Sequence, residues 1–424
     1  MSKLLPILAL WIAGAAAHAA VIAVTTTLDA IADDGFCSLR EAVLNANADS
    51  RLFPAPGECA AGSGADTIEL PAGTYTLTIA PGGPGNGASG ALLLKSTLSI
   101  VGTGKPVVQG GAQWTDRVFD VAGGATASLS GFTVHGGFTP VGVFSQGGGA
   151  GIRSHGALTL TNMLIEGNRA GPDGASDALG GGILVYESGS LVMTDSAVVN
   201  NTQGRASLYS YGPVTITGSA ITDNTDTQGF NAGAGVFVVS TTASITNTTI
   251  TNNTTQNGPG AGLKADTATV TLDNVTIAGN TAPDIVVATG TVTMRNSILG
   301  FNVFPNAATC AQESNGKIDS GGNNIVWNAT GCTIVNVQPS DRLGTFDAPV
   351  DPMLASLADN GGPTQTHELL PGSPAINAGP NPLPAFPGNE FDQRGEGYAR
   401  VVAGVVDIGA YEVQPIAITP NFTG

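Results

Sequence analysis

Six segments in the middle of the chain align without a gap, and this repeat constrains the fold more than any other feature. They are LTLTNMLIEGN (158–168), LVMTDSAVVNN (191–201), VTITGSAITDN (214–224), ASITNTTITNN (243–253), VTLDNVTIAGN (270–280) and VTMRNSILGFN (292–302). ASLSGFTVHGG (127–137) is a degenerate seventh copy that ends in Gly137. A repeat at such a spacing indicates short structural units that stack into a solenoid.

The pattern within each copy selects the type of solenoid. The third and eighth residues are always aliphatic or Met, and they alternate with Thr, Ser and Asn, which is typical of strands with one buried face. The fifth residue is Asn, Asp or Gly, which are turn formers. A leucine-rich repeat also carries one Asn per turn, but the segments between these copies are rich in Gly, Pro and Asn and poor in helix formers. We therefore predict an all-β right-handed parallel β-helix.

The eleventh residue of each full copy is Asn. If successive coils stack about 4.8 Å apart, these side chains align in a ladder in which each amide bonds to its neighbours above and below. The predicted ladder consists of Asn168, Asn201, Asn224, Asn253, Asn280 and Asn302.

Composition excludes some classes of function. The net charge is −17, charged residues are 11% of the chain and Gly numbers 60 of 424 residues. Nothing resembles the basic stripe of a nucleic-acid-binding protein. The 42% of hydrophobic residues is enough to fill a core, so the chain is not expected to be disordered.

The N-terminus and the cysteines point to export. Lys3 is followed by an apolar run and by Ala17-His18-Ala19, which predicts a signal peptide cleaved after Ala19. No later segment approaches the roughly 20 apolar residues of a transmembrane helix. The four cysteines form two pairs separated by 22 residues, Cys37 with Cys59 and Cys310 with Cys332, and in an exported chain they predict two local disulfides. We expect a secreted, extracellular or cell-envelope monomer.

The segment CSLREAVLNAN (37–47) predicts a helix that closes the first coil. Ser38 and Glu41 have the spacing of a capping box, and Leu39, Ala42, Val43 and Ala46 make one apolar stripe. In this interpretation Arg40 plays no part in the cap.

Two terminal regions resemble known families. The hexapeptide CSLREA (37–42) is similar to the N-terminal domain of exported bacterial proteins that is named after it. LADNGGPTQTHELLPGSPAINAG (357–379), DQRG (392–395) and DIGAYE (407–412) resemble the C-terminal region of the choice-of-anchor Q family. The resemblance implies a pectin-lyase-like right-handed β-helix in a secreted or surface-displayed protein. The expected organisation is a signal peptide (1–19), an N-terminal cap (20–65), the β-helix (66–340), a C-terminal region (341–412) and a short tail (413–424).

Two classes of function remain open from the sequence. The first is binding, adhesion or envelope structure, with an extracellular polysaccharide or a surface protein as partner and Tyr186, Tyr209, Tyr211 and Phe230 as loop aromatics that suit such contacts. The second is a polysaccharide lyase or glycoside hydrolase, which needs clustered carboxylates or a base. Its principal candidates are Asp173, Asp177, Glu187 and Arg205, and its further candidates are Asp195, Asp223, Asp226, Arg153 and Arg169. We prefer the first class, because no two acids occupy equivalent strand positions in successive copies.

No metal or other cofactor is expected. GSGADTIEL (62–70) resembles one unit of a calcium-binding nonapeptide repeat, so calcium stays open, but a turn that ends at Asp66 is the preferred interpretation. His367 has no second His or Cys at ligand spacing, and we expect a packed or solvent-facing side chain there.

Overall fold

A computed structural model describes residues 19–82, 87–140, 148–171, 178–227, 233–256, 262–281, 283–303, 308–381 and 389–415. The predicted signal peptide up to residue 18 lies outside the described residues, as do Asp173, Asp177 and Phe230.

Within the described ranges there are one α-helix, α1 (Leu39–Ala48), and 33 β-strands. The first half of the chain contains β1 (Val21–Ala23), β2 (Asp66–Leu70), β3 (Thr74–Leu77), β4 (Leu92–Leu94), β5 (Thr97–Gly102), β6 (Val107–Gly110), β7 (Phe119–Val121), β8 (Thr126–Ser130), β9 (Thr133–His135), β10 (Phe138–Thr139), β11 (Ile152–Ser154), β12 (Ala157–Thr161), β13 (Leu164–Glu166), β14 (Arg169–Ala170), β15 (Ile183–Val185), β16 (Ser190–Thr194) and β17 (Ala197–Val199). The second half contains β18 (Thr202–Gln203), β19 (Leu208–Ser210), β20 (Val214–Thr217), β21 (Ala220–Thr222), β22 (Thr225–Asp226), β23 (Val236–Val239), β24 (Thr242–Thr251), β25 (Thr254–Thr255), β26 (Leu263–Ala278), β27 (Ile285–Arg295), β28 (Ile298–Leu299), β29 (Cys310–Gln312), β30 (Lys317–Ser320), β31 (Ile325–Val326), β32 (Ile334–Val335) and β33 (Arg342–Leu343).

The named strands pair in parallel with their equivalents one coil earlier and one coil later, which is the pairing of a parallel β-helix. They form three faces of a 28-stranded sheet and one small five-stranded sheet. Face 1 begins with β4, β7, β11, β15, β19 and β23. Face 2 begins with β1, β2, β5, β8, β12 and β16, and face 3 with β3, β6, β9, β13 and β17. The small sheet contains β10, β14, β18, β22 and β25.

The aligned aliphatic residues fill the interior of the coils, as predicted. The third residues of the copies are in register on face 2, from Leu160 through Met193 and Ile216 to Met294, and they are at most 1% exposed. The eighth residues are in register on face 3 and are fully buried from Ile165 to Leu299. Because every coil buries its aliphatic residues against those of its neighbours, the core is one continuous stack.

The predicted asparagine ladder forms over five coils. Asn168, Asn201, Asn224 and Asn253 each donate the side-chain Nδ2 to the Oδ1 of the next ladder residue at 2.9–3.1 Å, ending at Asn280. The same Oδ1 atoms also accept the backbone N–H of the preceding ladder residue. Each Nδ2 additionally reaches a backbone carbonyl of the coil before it. The ladder therefore satisfies buried backbone groups at each turn as well as linking the coils.

The inclusion of Asn302 in the ladder was wrong. Asn280 donates its Nδ2 to Asp284 Oδ1 at 2.8 Å instead, and Asn302 donates to Ala308 O. Asp284 intervenes because it lies only four residues after Asn280 and is completely buried beside it. Burial raises the pKa of Asp284 well above its ordinary value.

The fifth residue of every copy adopts the left-handed backbone conformation, with φ between 46° and 61°. Asn and Asp tolerate this conformation better than other non-glycine residues, which explains the turn formers at this position. We call this row the turn column, and its members are Asn162, Asp195, Gly218, Asn247, Asn274 and Asn296. The last three form a second ladder, because Asn274 donates to Asn247 and Asn296 donates to Asn274.

The helix α1 closes the first coil. Ser38 and Glu41 form a capping box in which each side chain bonds to the other residue's backbone N–H. The stripe of Leu39, Ala42, Val43 and Ala46 is at most 3% exposed and packs into the core, and the helix contacts β2 and β4. The cap therefore buries the interior that an open solenoid end would expose.

Arg40 belongs to this cap, contrary to the expectation from the sequence. It is 1% exposed and makes a two-pronged ion pair with Asp29, with Nε to Oδ1 at 2.6 Å and Nη2 to Oδ2 at 3.1 Å. Asp29 Oδ2 also accepts the backbone N–H groups of Thr78 and Ile79. The apolar periodicity of the helix gave no sign of this pair, because its partner lies in the preceding loop.

Both predicted disulfides are present, Cys37 with Cys59 and Cys310 with Cys332. The first ties the residue before the Ser38 cap of α1 to the loop that follows the helix, and the second joins strand β29 to the loop before β32. In the chain-entropy model, loops of this length contribute about 3 kcal/mol each to stability.

The C-terminal part of the chain folds back along face 3. We call residues 351–381 and 389–415 the strap. Hydrogen bonds attach it to several coils. Thr364 Oγ1 donates to Gly218 O, and the Gly409 N–H donates to Asn296 O. Outward side chains beneath it, such as Thr249 and Thr276, are at most 3% exposed. The strap therefore covers the later coils of face 3, whereas the corresponding residues of earlier coils stay partly exposed.

The segments DQRG and DIGAYE form a buried ionic cluster in the strap. Arg394 pairs with Asp392 and lies between the rings of Tyr398 and Tyr411, at 4.0 and 3.8 Å from their centroids. Arg400 is fully buried near Glu412, with 3.8 Å between Nη1 and Oε2, and it donates to Asn247 Oδ1 in the coils. These residues hold the strap together and attach it to the turn column.

The strap should loosen as the pH rises. Burial raises the pKa of Glu412 from its ordinary value of 4.5 to about 8, against the opposing effect of Arg400, and burial also raises the pKa of Asp407. An acid with a raised folded-state pKa keeps its proton while the unfolded chain loses it, so the free energy of unfolding falls between pH 4.5 and about 8. We expect thermal unfolding scans to show this slope, and Glu412→Gln to reduce it. Equal slopes in the two proteins would contradict the assignment.

No helix in the described part of the chain is long and apolar enough to cross a membrane.

Candidate functional site

Face 1 differs from the other faces in the side chains that it turns outward. Because alternate residues of a strand point to opposite sides, each coil contributes two outward positions here. The inner of the two rows is in register over the coils and contains Asp120, Arg153, Leu184, Tyr209, Phe237 and Lys264. The members from Leu184 onward are at most 4% exposed. The outward positions of face 1 therefore hold packed aromatic and charged side chains. The outward positions of the repeat strands mostly hold Thr, Ser or Asn instead.

The outer row contains three rings on successive coils. His155 and Tyr186 stack with 4.0 Å between ring centroids and 10° between planes, and Tyr186 and Tyr211 follow at 6.4 Å and 28°. We call these three residues the aromatic column. All three side chains are partly exposed, so the column is accessible from solvent.

A second layer of rings supports the column. Tyr209 lies 5.1 Å from Tyr211 and 4.9 Å from Phe237, in tilted contacts, and these two inner rings are buried. Burial, followed by the neighbouring Tyr211, raises the pKa of Tyr209, so its hydroxyl stays protonated. The inner rings fix the positions of the outer ones.

A cluster of four charged residues lies at one end of the column. Arg153 holds Asp120 through two hydrogen bonds, at 2.9 and 2.5 Å. Arg117 is 3.5 Å from Asp116 and 3.7 Å from Asp120. The two cations and two anions balance one another at the surface.

Burial and the nearby Arg153 favour the neutral form of His155. Burial, and then the cation of Arg153, lower the pKa of the His155 imidazole, so the ring is uncharged at neutral pH. Burial lowers the pKa of Arg117, and Arg153 acts in the same direction. Burial also acts to lower the pKa of Arg153, but the bond to Asp120 outweighs it and raises that pKa.

Lys264 stands at the far end of the inner row. Its ammonium group lies 5.5 Å from the centroid of Phe237 and 3.5 Å from Glu313, and the residue is 3% exposed. Burial lowers its pKa, although Glu313 opposes the shift. Lys264 is therefore a desolvated ammonium group that is held between Phe237 and Glu313.

Face 1 also concentrates the scarce cations of the chain. Nine Lys and Arg residues occur between positions 66 and 340, and four of them, Arg117, Arg153, Arg205 and Lys264, lie on or beside this face. Arg117 and Arg153 are paired with Asp116 and Asp120, and Lys264 is paired with Glu313, so these cations add polar groups to the face without making it basic.

The acids proposed from the sequence are not brought together in the described coils. Glu187 is exposed and follows Tyr186, whereas Asp226 is fully buried in the small sheet. Asp195 and Asp223 occupy turns with φ of 50° and 58°, the role that the repeat indicates for Asp195. Asp173 and Asp177 lie outside the described residues, so the carboxylate site stays a hypothesis there.

The proposed bases lie on two different surfaces. Arg153 is on face 1, and Arg205 lies beside Tyr209 and pairs with Leu179 in a parallel bridge. Arg169 is on the small sheet, with its guanidinium 5.9 Å from the Phe138 ring.

Asp66 and His367 have structural contacts. Asp66 Oδ1 accepts the N–H groups of Ala20 and Ser63 at the start of β2. His367 is buried between Ala355 O and Thr251 Oγ1, at 2.7 and 3.0 Å. Over the described ranges there is no group of three or more His, Cys, Asp or Glu residues that could hold a metal ion.

The aromatic column could not be predicted from the repeat, because its strands are only three residues long. A local signal was nevertheless present, since RSHG (153–156) and YSYG (209–212) share Ser at the second position and Gly at the fourth. In both, the serine hydroxyl donates to the carbonyl of the glycine two residues later, and the ring stands between them. Aligning the segments before each repeat copy would have brought His155, Tyr186 and Tyr211 together.

One comparison with known proteins supports the fold. A family model described as the right handed beta helix region matches residues 148–340, somewhat less than half of the chain. This match and the parallel coils confirm the predicted right-handed parallel β-helix. The chain is also similar to a solved structure described as pectate lyase Pel9A, with a TM-score of 0.44 and 16% identity over 82% of this chain and 88% of that chain. No curated protein matches the sequence.

Proposed function

We propose that this protein acts outside the cell and binds a polysaccharide along the aromatic column without cleaving it. One observation carries the proposal, namely the three partly exposed rings of His155, Tyr186 and Tyr211, which are aligned on successive coils. The rings repeat along the axis of the coils, and the sugar units of a polysaccharide repeat along its chain, so one can contact the other at several points.

The chemistry of the rings supports a sugar ligand. Tyr combines an apolar ring with a hydroxyl group, and sugars likewise combine apolar C–H faces with hydroxyls. The two phenols of the column can exchange hydrogen bonds with sugar hydroxyls. Arg153 and Asp120 add charged hydrogen-bonding groups at one end.

An extracellular location is supported by three observations. The chain contains two disulfides, which persist in oxidising compartments. The sequence predicts a signal peptide that ends at Ala19. The terminal CSLREA and DIGAYE segments resemble those of exported or surface-displayed proteins. Adhesion or a structural role in the envelope would both be consequences of such binding.

The column residues should contribute most of the affinity. We expect Tyr186→Ala and Tyr211→Ala each to weaken polysaccharide binding about tenfold, or about 1.4 kcal/mol, as is usual for aromatic anchors. Affinity electrophoresis with neutral and uronate-containing polysaccharides, with and without Ca²⁺, measures this effect. Phe346→Ala is the matched control, because Phe346 is 55% exposed and lies beyond the last coil. Equal losses in all three variants would contradict the proposal.

A polysaccharide lyase is the second candidate function, and one observation favours it. Lys264 lies beside Phe237 on face 1, and burial lowers its pKa, which is the direction that a general base requires. A lyase would release unsaturated products. Lys264→Met would abolish their release and leave the aromatic column intact. Unsaturated products from the unchanged protein, lost in Lys264→Met, would establish the lyase and overturn binding without cleavage.

A further inference from the structure

A groove on the side of the coils away from face 1 is the strongest unassigned feature. Its volume is about 200 Å³. Its apolar lining consists of Leu164 and Ala197 on face 3, Pro363 of the strap, and Phe132 and Met163 in the turns before face 3. The groove therefore continues, toward the N-terminal coils, the track that the strap occupies on the later coils.

The strap shows what this track recognises. Three asparagines donate their Nδ2 groups to main-chain carbonyls of the strap. They are Asn247 to Phe391 O at 3.0 Å, Asn296 to Asp407 O at 2.9 Å, and Asn323 to Ala378 O at 2.8 Å. Asn247 and Asn296 belong to the turn column, and Asn323 has the same left-handed conformation. The chemistry of the track on these coils is thus recognition of a polypeptide backbone.

The groove contains turn-column residues that the strap does not reach. Asn162 and Asp195 line it, at the positions that Asn247 and Asn296 occupy in later coils. Among the described residues neither side chain has a hydrogen-bond partner, although Asp195 is partly buried and its carboxylate lies over Gly218. Burial raises the pKa of Asp195, so a hydrogen-bond donor placed here would relieve a real desolvation cost.

We propose that this groove binds an extended polypeptide segment of a partner protein, in continuation of the strap. Asn162 donates to a main-chain carbonyl of the segment, and Asp195 accepts a hydrogen bond from its backbone, from a hydroxyl or from a basic side chain. An apolar side chain of the segment packs on Leu164, Ala197 and Pro363. Lys105 at the rim favours an acidic residue at the adjacent position.

The test selects short random peptides displayed on phage against the immobilised full chain and measures the best of them as synthetic peptides by fluorescence anisotropy. Ala197→Arg fills the groove, and Asn162→Gly removes the amide while keeping the left-handed turn, as Gly218 does naturally. Val192→Arg is the matched control, because Val192 is 42% exposed on face 2 of the same coil as Ala197. We expect selected peptides to bind at least tenfold more weakly to Ala197→Arg and to Asn162→Gly, and unchanged to Val192→Arg.

Three outcomes would overturn the proposal. One is that no peptide is selected. Another is that the selected peptides bind equally well to the unchanged protein and to Asn162→Gly, the variant that disturbs the fold less than Ala197→Arg does. The third is displacement of the peptides by oligosaccharides, which would make the groove a sugar site. Because the groove and the aromatic column lie on different faces, Tyr186→Ala should leave peptide binding unchanged.

Discussion

Replacing Asn224 with Ala should lower the free energy of unfolding by about 4 kcal/mol. Asn224 is fully buried in the middle of the ladder, and its Oδ1 accepts both the backbone N–H and the side-chain Nδ2 of Asn201. Its own Nδ2 bonds to Val198 O and to Asn253 Oδ1. Alanine removes the acceptor of the Asn201 N–H and the donor to the Val198 carbonyl. Leaving a buried polar group without its hydrogen bond costs about 1–3 kcal/mol.

The chain supplies its own control for this prediction. Asn302 has the same position in the repeat, but its Oδ1 has no partner in the described structure and its Nδ2 makes one bond, to Ala308 O. Asn302→Ala should therefore cost only about 1 kcal/mol. Chemical denaturation of the two variants measures the difference. If Asn302→Ala proves as damaging as Asn224→Ala, the hydrogen bonds of the ladder do not determine its stability.

Arg400→Met should detach the strap from the coils. Arg400 is fully buried, donates to Asn247 Oδ1 at 2.9 Å and to the carbonyls of Gly409 and Ala410 at 2.9 and 3.0 Å, and lies near Glu412. Methionine removes the donor that these three buried acceptors share, and each hydrogen bond lost in this way costs about 1–3 kcal/mol. We expect this loss to appear locally, as rapid proteolysis within residues 389–415.

Limited proteolysis followed by mass spectrometry checks this result. The coils should survive, because their core stack does not include the strap. Arg342→Met is the control, since Arg342 is exposed on the last strand. The ionic cluster would have a minor role if Arg400→Met were cleaved no faster than Arg342→Met.

The fold could be predicted because its signal is periodic. Residues such as Ile216 and Ile221 recur at fixed positions and are in register coil after coil, so an alignment of the chain with itself is enough to identify the stack. The end of the ladder could not be predicted in this way. Asn302 fits the pattern, yet Asp284 takes its place through a local contact four residues from Asn280.

The site could be predicted only in part, because long-range pairings decide it. Tyr186, Tyr209 and Tyr211 were identified as candidates for contact with a ligand, but the stacking on His155 depends on the register of three-residue strands. The pairing of Arg153 with Asp120 joins residues 33 positions apart. The same reason hid the role of DQRG and DIGAYE, whose partners lie in coils more than a hundred residues earlier.

Isothermal titration calorimetry tests the central claim most directly. It compares the unchanged protein with the Tyr186→Ala/Tyr211→Ala double variant, using a panel of soluble neutral and uronate-containing polysaccharides. The account predicts saturable binding of at least one polysaccharide to the unchanged protein, with no new reducing ends or unsaturated products, and a loss of about a hundredfold or more in the double variant. Binding of equal strength to both proteins, or to neither, would contradict it.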